Sequence, residues 1–171
     1  MGFVDAVKSG FANAFKFDGR ARRPEYWWFF LFVFAGAFVV GLIDAALFGT
    51  GGGMRRPVLV TVFQLIIFVP FLTVGWRRLH DTGRPGWYLL VPAGLTIITS
   101  ILVGSATQAM MGLGMGMGQM NGAASGAMAM GAGVVILLSL VQVIAGIVII
   151  WWMSRPSQHG TNAYGPEPRK R

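Results

Sequence analysis

Four apolar runs, at residues 27–48, 58–76, 87–104 and 133–153, decide what this chain can fold into. A hydrocarbon core about 30 Å thick takes roughly 20 helical residues to cross, and each run supplies about that length. The first holds one acid, Asp44, and the other three hold no charged residue. Charged residues make up 12% of the 171 residues, against about 25% in an average soluble domain. That shortage argues against a soluble globule and against intrinsic disorder. The expected fold is an all-α integral membrane protein with four transmembrane helices, read as a single membrane domain. No cysteine is present, so disulfides, thiolate metal sites and cysteine nucleophiles drop out. Residues 1–26 carry five basic residues and no apolar stretch, which reads as a retained segment and not as a cleavable leader.

The net charge of +8 suits nucleic acid if spread over a soluble face, or acidic lipid if gathered beside apolar spans. Its placement decides. Four spans sort the flanks into two sides, and twelve of the fourteen basic residues fall on one of them: Lys8, Lys16, Arg20, Arg22, Arg23, Arg77, Arg78, Arg84, Arg155, Arg169, Lys170 and Arg171. The other side holds Arg55 and Arg56. The positive-inside rule then predicts both termini in the cytoplasm. Tyr26, Trp27, Trp28, Trp76, Trp87, Tyr88, Trp151 and Trp152 sit where the spans meet that basic side, as an aromatic belt would. No nucleic-acid partner is expected, and membrane lipids are.

Three polar segments on the basic side are specific in wording: FDGRARRPEYWWF (17–29), WRRLHDTGRPGW (76–87) and GTNAYGP (160–166). In order and spacing they resemble the small bacterial membrane proteins catalogued as domain of unknown function 805. The resemblance covers residues 11–104 and 150–168. It implies a bacterial plasma-membrane protein, in the inner membrane if the cell has two, and it carries no established reaction, substrate or cofactor. The segment 105–131 departs from the family pattern.

Under the four-span topology the three segments emerge on one face. Arg20, Arg22, Arg23, Arg77, Arg78 and Arg84 are the candidate ligands for an anion or a lipid headgroup, because a guanidinium presents a planar fork of donors to phosphate. Asp18, Glu25, His80, Asp81, Asn162 and Tyr164 are the candidate interface network. Two accounts stay open: the acids fasten the loops by pairing with arginines, or the excess of arginines binds an anion. His80 and Asp81 are adjacent, so on a helix they point about 100° apart and make a poor catalytic dyad with each other. No catalytic residue, metal or cofactor is expected.

Several features read more locally. Pro24 followed by Glu25 marks a helix start. Residues 81–86 form a dense turn signal. Phe3, Val7, Phe11 and Phe15 repeat every four residues, which predicts an N-terminal interfacial amphipathic helix. Ala37, Gly41 and Ala45 form a small-residue ridge, for packing inside the bundle or for a homo-oligomer. Asp44, the intramembrane polar residue, lies about 25 Å along its helix from Trp27, where Arg55 or Arg56 could pair with it. The segment 105–131 holds seven of the ten methionines. It reads as a glycine-faced continuation of the third or fourth span or a re-entrant turn, with thioether ligation of Cu(I) as a further option. Two functions follow. One is a non-enzymatic module whose basic cytoplasmic face binds anionic lipid headgroups or a protein partner. The other is a small transporter or channel component acting as an oligomer.

Overall fold

In hydrocarbon an unpaired amide is costly, so an apolar run closes its hydrogen bonds within itself as a helix. The computed structural model describes residues 1–49, 57–112 and 122–168. They form α1 (Phe3–Ala12), α2 (Arg23–Phe48), α3 (Val58–Asp81), a short 3₁₀ helix (Gly86–Leu89), α4 (Leu90–Gly112) and α5 (Gly122–Ser154). Four stretches among the described residues are long and apolar enough to cross a membrane: Arg23–Phe48, Val58–Asp81, Gly86–Ser105 and Met130–Ser154. The chain is an all-helical integral membrane protein.

The helices run past the apolar runs at their polar ends. α2 begins at Arg23, with Arg22 as its N-cap, Pro24 in its first turn and Glu25 as its first-turn acid. α3 continues through Pro70 to Asp81 and ends where Thr82 and Gly83 follow. Arg77, Arg78, His80 and Asp81 therefore stand on the end of a helix, and the reversal itself is narrower than the turn signal of residues 81–86. The amides of Thr82 and Arg84 donate to the Leu79 carbonyl at 3.0 Å, and that of Gly83 donates to the His80 carbonyl at 3.0 Å. Gly83 adopts φ +77°, a left-handed conformation that L side chains rarely take. α1 is shorter than its phenylalanine repeat, since Asn13 caps it and donates its side-chain amide to the Ser9 carbonyl at 2.9 Å. Phe15 lies beyond the helix and is 82% exposed.

By its contacts the chain forms two compact units, Met1–Trp87 with the segment from Trp152 onward, and Tyr88–Trp151. In the first unit α1 packs on α2 through its small residues. Ala6 and Gly10 are buried, and a Cβ on Gly10 would stand 2.4 Å from the Phe29 ring. Phe11 meets Phe29 edge-on at 5.7 Å, and Phe3 meets Trp28 at 6.0 Å. Across the α2–α3 contact, a Cβ on Gly36 would lie 2.7 Å from the Phe63 ring. Gly41 of the predicted ridge has only an ordinary approach, 4.0 Å, to Val60. Tyr26 and Phe30 lay their rings beside Phe71 at 6.3 Å each. In the second unit the Gln142 side-chain amide donates to the Thr96 hydroxyl at 2.8 Å, a polar tie between α5 and α4. The glycine-rich segment continues both of these helices, to Gly112 and from Gly122. Residues 113–121, with Met115, Met117, Gly114 and Gly118, lie outside the described residues, as do Arg55 and Arg56.

The α1–α2 contact yields a direct expectation. Gly10→Ala places a methyl inside the Phe29 ring and should destabilise the docked helix by about 1–3 kcal/mol. Hydrogen exchange should then rise in α1 while α2 stays protected. Gly94→Ala, where no atom lies within 4 Å of the added Cβ, should leave exchange unchanged.

Candidate functional site

Asp81 is fully buried at the end of α3. It accepts from Arg20 Nε at 3.0 Å, from Arg78 Nη1 and from the Ser157 hydroxyl. Its backbone carbonyl accepts the Gln158 amide at 2.9 Å. One carboxylate thus joins the segment before α2, the end of α3 and the segment after α5. Two guanidiniums face one carboxylate, and the surplus positive charge is met by main-chain dipoles. Arg20 donates to the carbonyls of Gly160 at 2.6 Å, of Gln158, and of Gly165 at 3.4 Å. Arg78 donates to the carbonyls of Met153 at 3.0 Å and of Arg155.

Those last two bonds also finish α5. A helix leaves its final carbonyls without intrahelical donors and carries a partial negative charge there. α5 has no basic residue in its last turn. Arg78, from α3, supplies the missing donors, and Arg23 Nε adds a bond to the Arg155 carbonyl at 2.7 Å. Arg84 donates to the Thr82 carbonyl at 3.1 Å and lies 4.9 Å above the Trp152 ring, a cation–π arrangement.

His80 and Asp81 diverge. The His80 ring stacks on Tyr164 at 3.9 Å with 7° between planes, and its Nδ1 lies 3.2 Å from the Gly19 carbonyl. A ring nitrogen facing a carbonyl must carry the proton to bond it. Asn162 donates to the His80 carbonyl at 2.9 Å and accepts the Tyr164 amide at 2.9 Å. The three sequence motifs therefore meet in one junction. Asp18 stays at its rim, exposed, and lines a cleft of about 490 Å³ with Asn13, Lys16, Arg20 and Arg77.

A second polar group lies where α1 crosses α2 and α3. Glu25 accepts the Ser9 hydroxyl at 2.8 Å and pairs with Arg77 Nη2 at 3.5 Å. Arg77 Nη1 is buried and has no hydrogen-bond partner among the described residues. Arg22 Nη2 donates to the Pro168 carbonyl at 2.7 Å. Thr73, fully buried on α3, places its hydroxyl 2.6 Å from the Ala14 carbonyl and 2.8 Å from that of Val69. Asp44 is remote from both groups, at the far end of α2. It is buried, and its Oδ1 has no partner among the described residues.

Sequence reasoning missed Ser9, Ser157 and Gln158. The signal for the last two was the Arg155–Pro156 pair directly after the fourth apolar run, which ends a helix at the interface and places the following residues there. Ser9 carried a weaker one, a hydroxyl adjacent in sequence to Gly10 on the small-residue face of α1.

The model of a family described as "Protein of unknown function (DUF805)" matches residues 14–166. The chain belongs to this family. All three motifs of the junction lie inside the matched region. Among curated proteins, the chain is similar to inner membrane protein YhaH of Escherichia coli K12, 42% identical over 80 residues, covering 46% of this chain and 64% of that protein. It is also similar to inner membrane protein YhaI of the same strain, 40% identical over 79 residues, covering 46% of this chain and 63% of that protein. The match thus spans somewhat less than two thirds of these relatives. No solved structure matches the chain.

The DUF805 junction makes a sharp demand on Asp81. Removing the charge from one member of a buried ion-pair group typically costs about 3–5 kcal/mol, because the partners stay buried and uncompensated. Asp81→Asn should therefore lower thermal stability in detergent or nanodiscs by that order and release the segment after α5 to proteolysis. Glu167→Gln, which removes the charge of a partly exposed carboxylate and keeps a side-chain oxygen for the Gly160 amide, should change stability by less than about 1 kcal/mol.

Proposed function

We propose that this DUF805 protein is a non-enzymatic membrane module that holds anionic phospholipid headgroups against its basic side, at the cytoplasmic leaflet. The observation that carries the reading is the seating of α1. The helix packs against α2 at the level of its first turns, through Ala6 and Gly10. It leaves Phe3, Val4 and Phe11 at least 40% exposed. An amphipathic helix in that position lies along the headgroup–acyl boundary, with its apolar side chains a few ångströms deep.

Basic residues crowd the same level. Lys8 is on α1, Arg22 and Arg23 stand at the start of α2, and Arg77 is near the end of α3. A lysine or arginine near an anionic leaflet contributes about 1 kcal/mol each. Arg20 and Arg78 stand apart, since their donors go to Asp81 and to main-chain carbonyls. They hold the scaffold, and the headgroup role falls to the arginines around it. The inner-membrane naming of the relatives is consistent with such a role.

Native mass spectrometry of the full chain released from mixed lipid tests this. Retained lipid should be enriched in phosphatidylglycerol over phosphatidylethanolamine relative to the bulk membrane. Retention in bulk proportions would overturn the reading.

A further inference from the structure

Within that basic side one place differs from the rest. A cleft of about 590 Å³ opens between α1, the start of α2 and the end of α3, lined among others by Lys8, Ser9, Arg22, Glu25, Arg77 and Pro168. Arg20 and Asp5 complete its charged lining, giving four cationic and two carboxylate side chains. Neither acid neutralises the cations fully. Asp5 accepts the Gly2 amide at 3.2 Å as part of the α1 cap. Glu25 is shared between Ser9 and Arg77.

Arg77 is the unusual member. Its side chain is 12% exposed and pairs with Glu25 through Nη2 only. Its Nη1 is buried with no hydrogen-bond partner among the described residues. A buried donor left unmatched costs about 1–3 kcal/mol, more when charged, and native proteins rarely leave one so. Arg77 borders both this cleft and the neighbouring one lined by Lys16 and Asp18, and the cleft with Lys8 and Arg22 holds the larger surplus of cationic over acidic side chains, which suits an acceptor with several oxygens.

We infer that this cleft is a phosphate seat, in which Arg77, Lys8 and Arg22 together take the phosphate of a phosphodiester or phosphomonoester headgroup. The inference rests on the lipid reading above and narrows it from a face to three residues, one of which, Lys8, belongs to the amphipathic helix. The chemistry fits at each position. Arg77 offers a fixed planar fork, Lys8 a compact mobile charge, and Arg22 a guanidinium already oriented by its bond to the Pro168 carbonyl.

Purified full-length protein, delipidated and reconstituted in phosphatidylcholine nanodiscs doped with phosphatidylglycerol, provides the test, with lipid retention read by native mass spectrometry. Inorganic phosphate, added to the lipid-free protein in detergent, forms a second arm. Lys8→Gln and Arg77→Gln should each weaken phosphatidylglycerol retention about fivefold or more. Arg77→Lys should fall between the parent and Arg77→Gln, since it keeps the charge and loses the fork. Lys8 is exposed, so its variant reports on binding even if Arg77→Gln fails to fold. Lys16→Gln, in the neighbouring cleft that shares Arg77, should leave retention unchanged, which places the seat on the Lys8 side of Arg77.

Equal weakening by Lys16→Gln overturns the seat and leaves diffuse lipid binding standing. Retention that none of the variants alters does the same. Absence of phosphatidylglycerol enrichment in the parent overturns the underlying lipid reading. Inorganic phosphate bound with the same dependence on Lys8 and Arg77, without lipid retention, supports the seat and assigns it to a soluble phosphate ester.

Discussion

The arrangement of the first compact unit hangs on one buried carboxylate. Asp81 sits at the last position of α3, and its two oxygens are met by Arg20, Arg78 and Ser157. Burying a carboxylate is unfavourable unless it is paired and hydrogen-bonded, and here both conditions hold. The remaining positive charge is spread over five main-chain carbonyls, those of Gly160, Gln158, Gly165, Met153 and Arg155. The bonds to Gln158, Gly160 and Gly165 fix irregular backbone after α5, and the bond to Met153 caps the end of that helix. The isolated bridge between Asn162 and Gly165 and the stacking of Tyr164 on His80 follow from that fixation.

Much of this was legible in the sequence, and the reasons for success and failure are physical. The four apolar runs translate directly into helices, because hydrocarbon permits little else. Span parity places the three motifs on one side, and the contacts of Asp81, Arg20 and His80 bring them together there. Helix ends were less legible. Residues 77–81 read as loop when hydropathy is the guide, yet the helix continues through these charged residues until Thr82 and Gly83 stop it. The phenylalanine repeat overstates α1, since Phe15 matches the period but follows the cap at Asn13.

The candidate site divided in a way no residue count could show. All six arginines were equivalent as sequence, each beside an apolar run. Packing separated them by where their donors go: Arg20 and Arg78 inward to Asp81 and carbonyls, Arg22 to the Pro168 carbonyl, Arg23 to the end of α5, Arg84 against Trp152, and Arg77 half-committed to Glu25. Gly36 was hidden for a similar reason. Its neighbour across the helix pair is Phe63, and a pattern within one helix says nothing about a side chain on the next.

The reach of the Arg20 contacts along the chain has a consequence for synthesis. Its acceptors at Gln158, Gly160 and Gly165 follow it by 138, 140 and 145 residues. A chain made from its N-terminus exposes Arg20, then Arg78 and Asp81, well before any of those acceptors exists. The three charges can pair with one another early, but the main-chain half of their shell arrives only after the fourth span has left the ribosome. Closure of the junction is thus a late event that reports completion of all four spans, and a chain truncated before Ser157 would present to the quality-control machinery of the membrane an arginine pair with half of its acceptors missing.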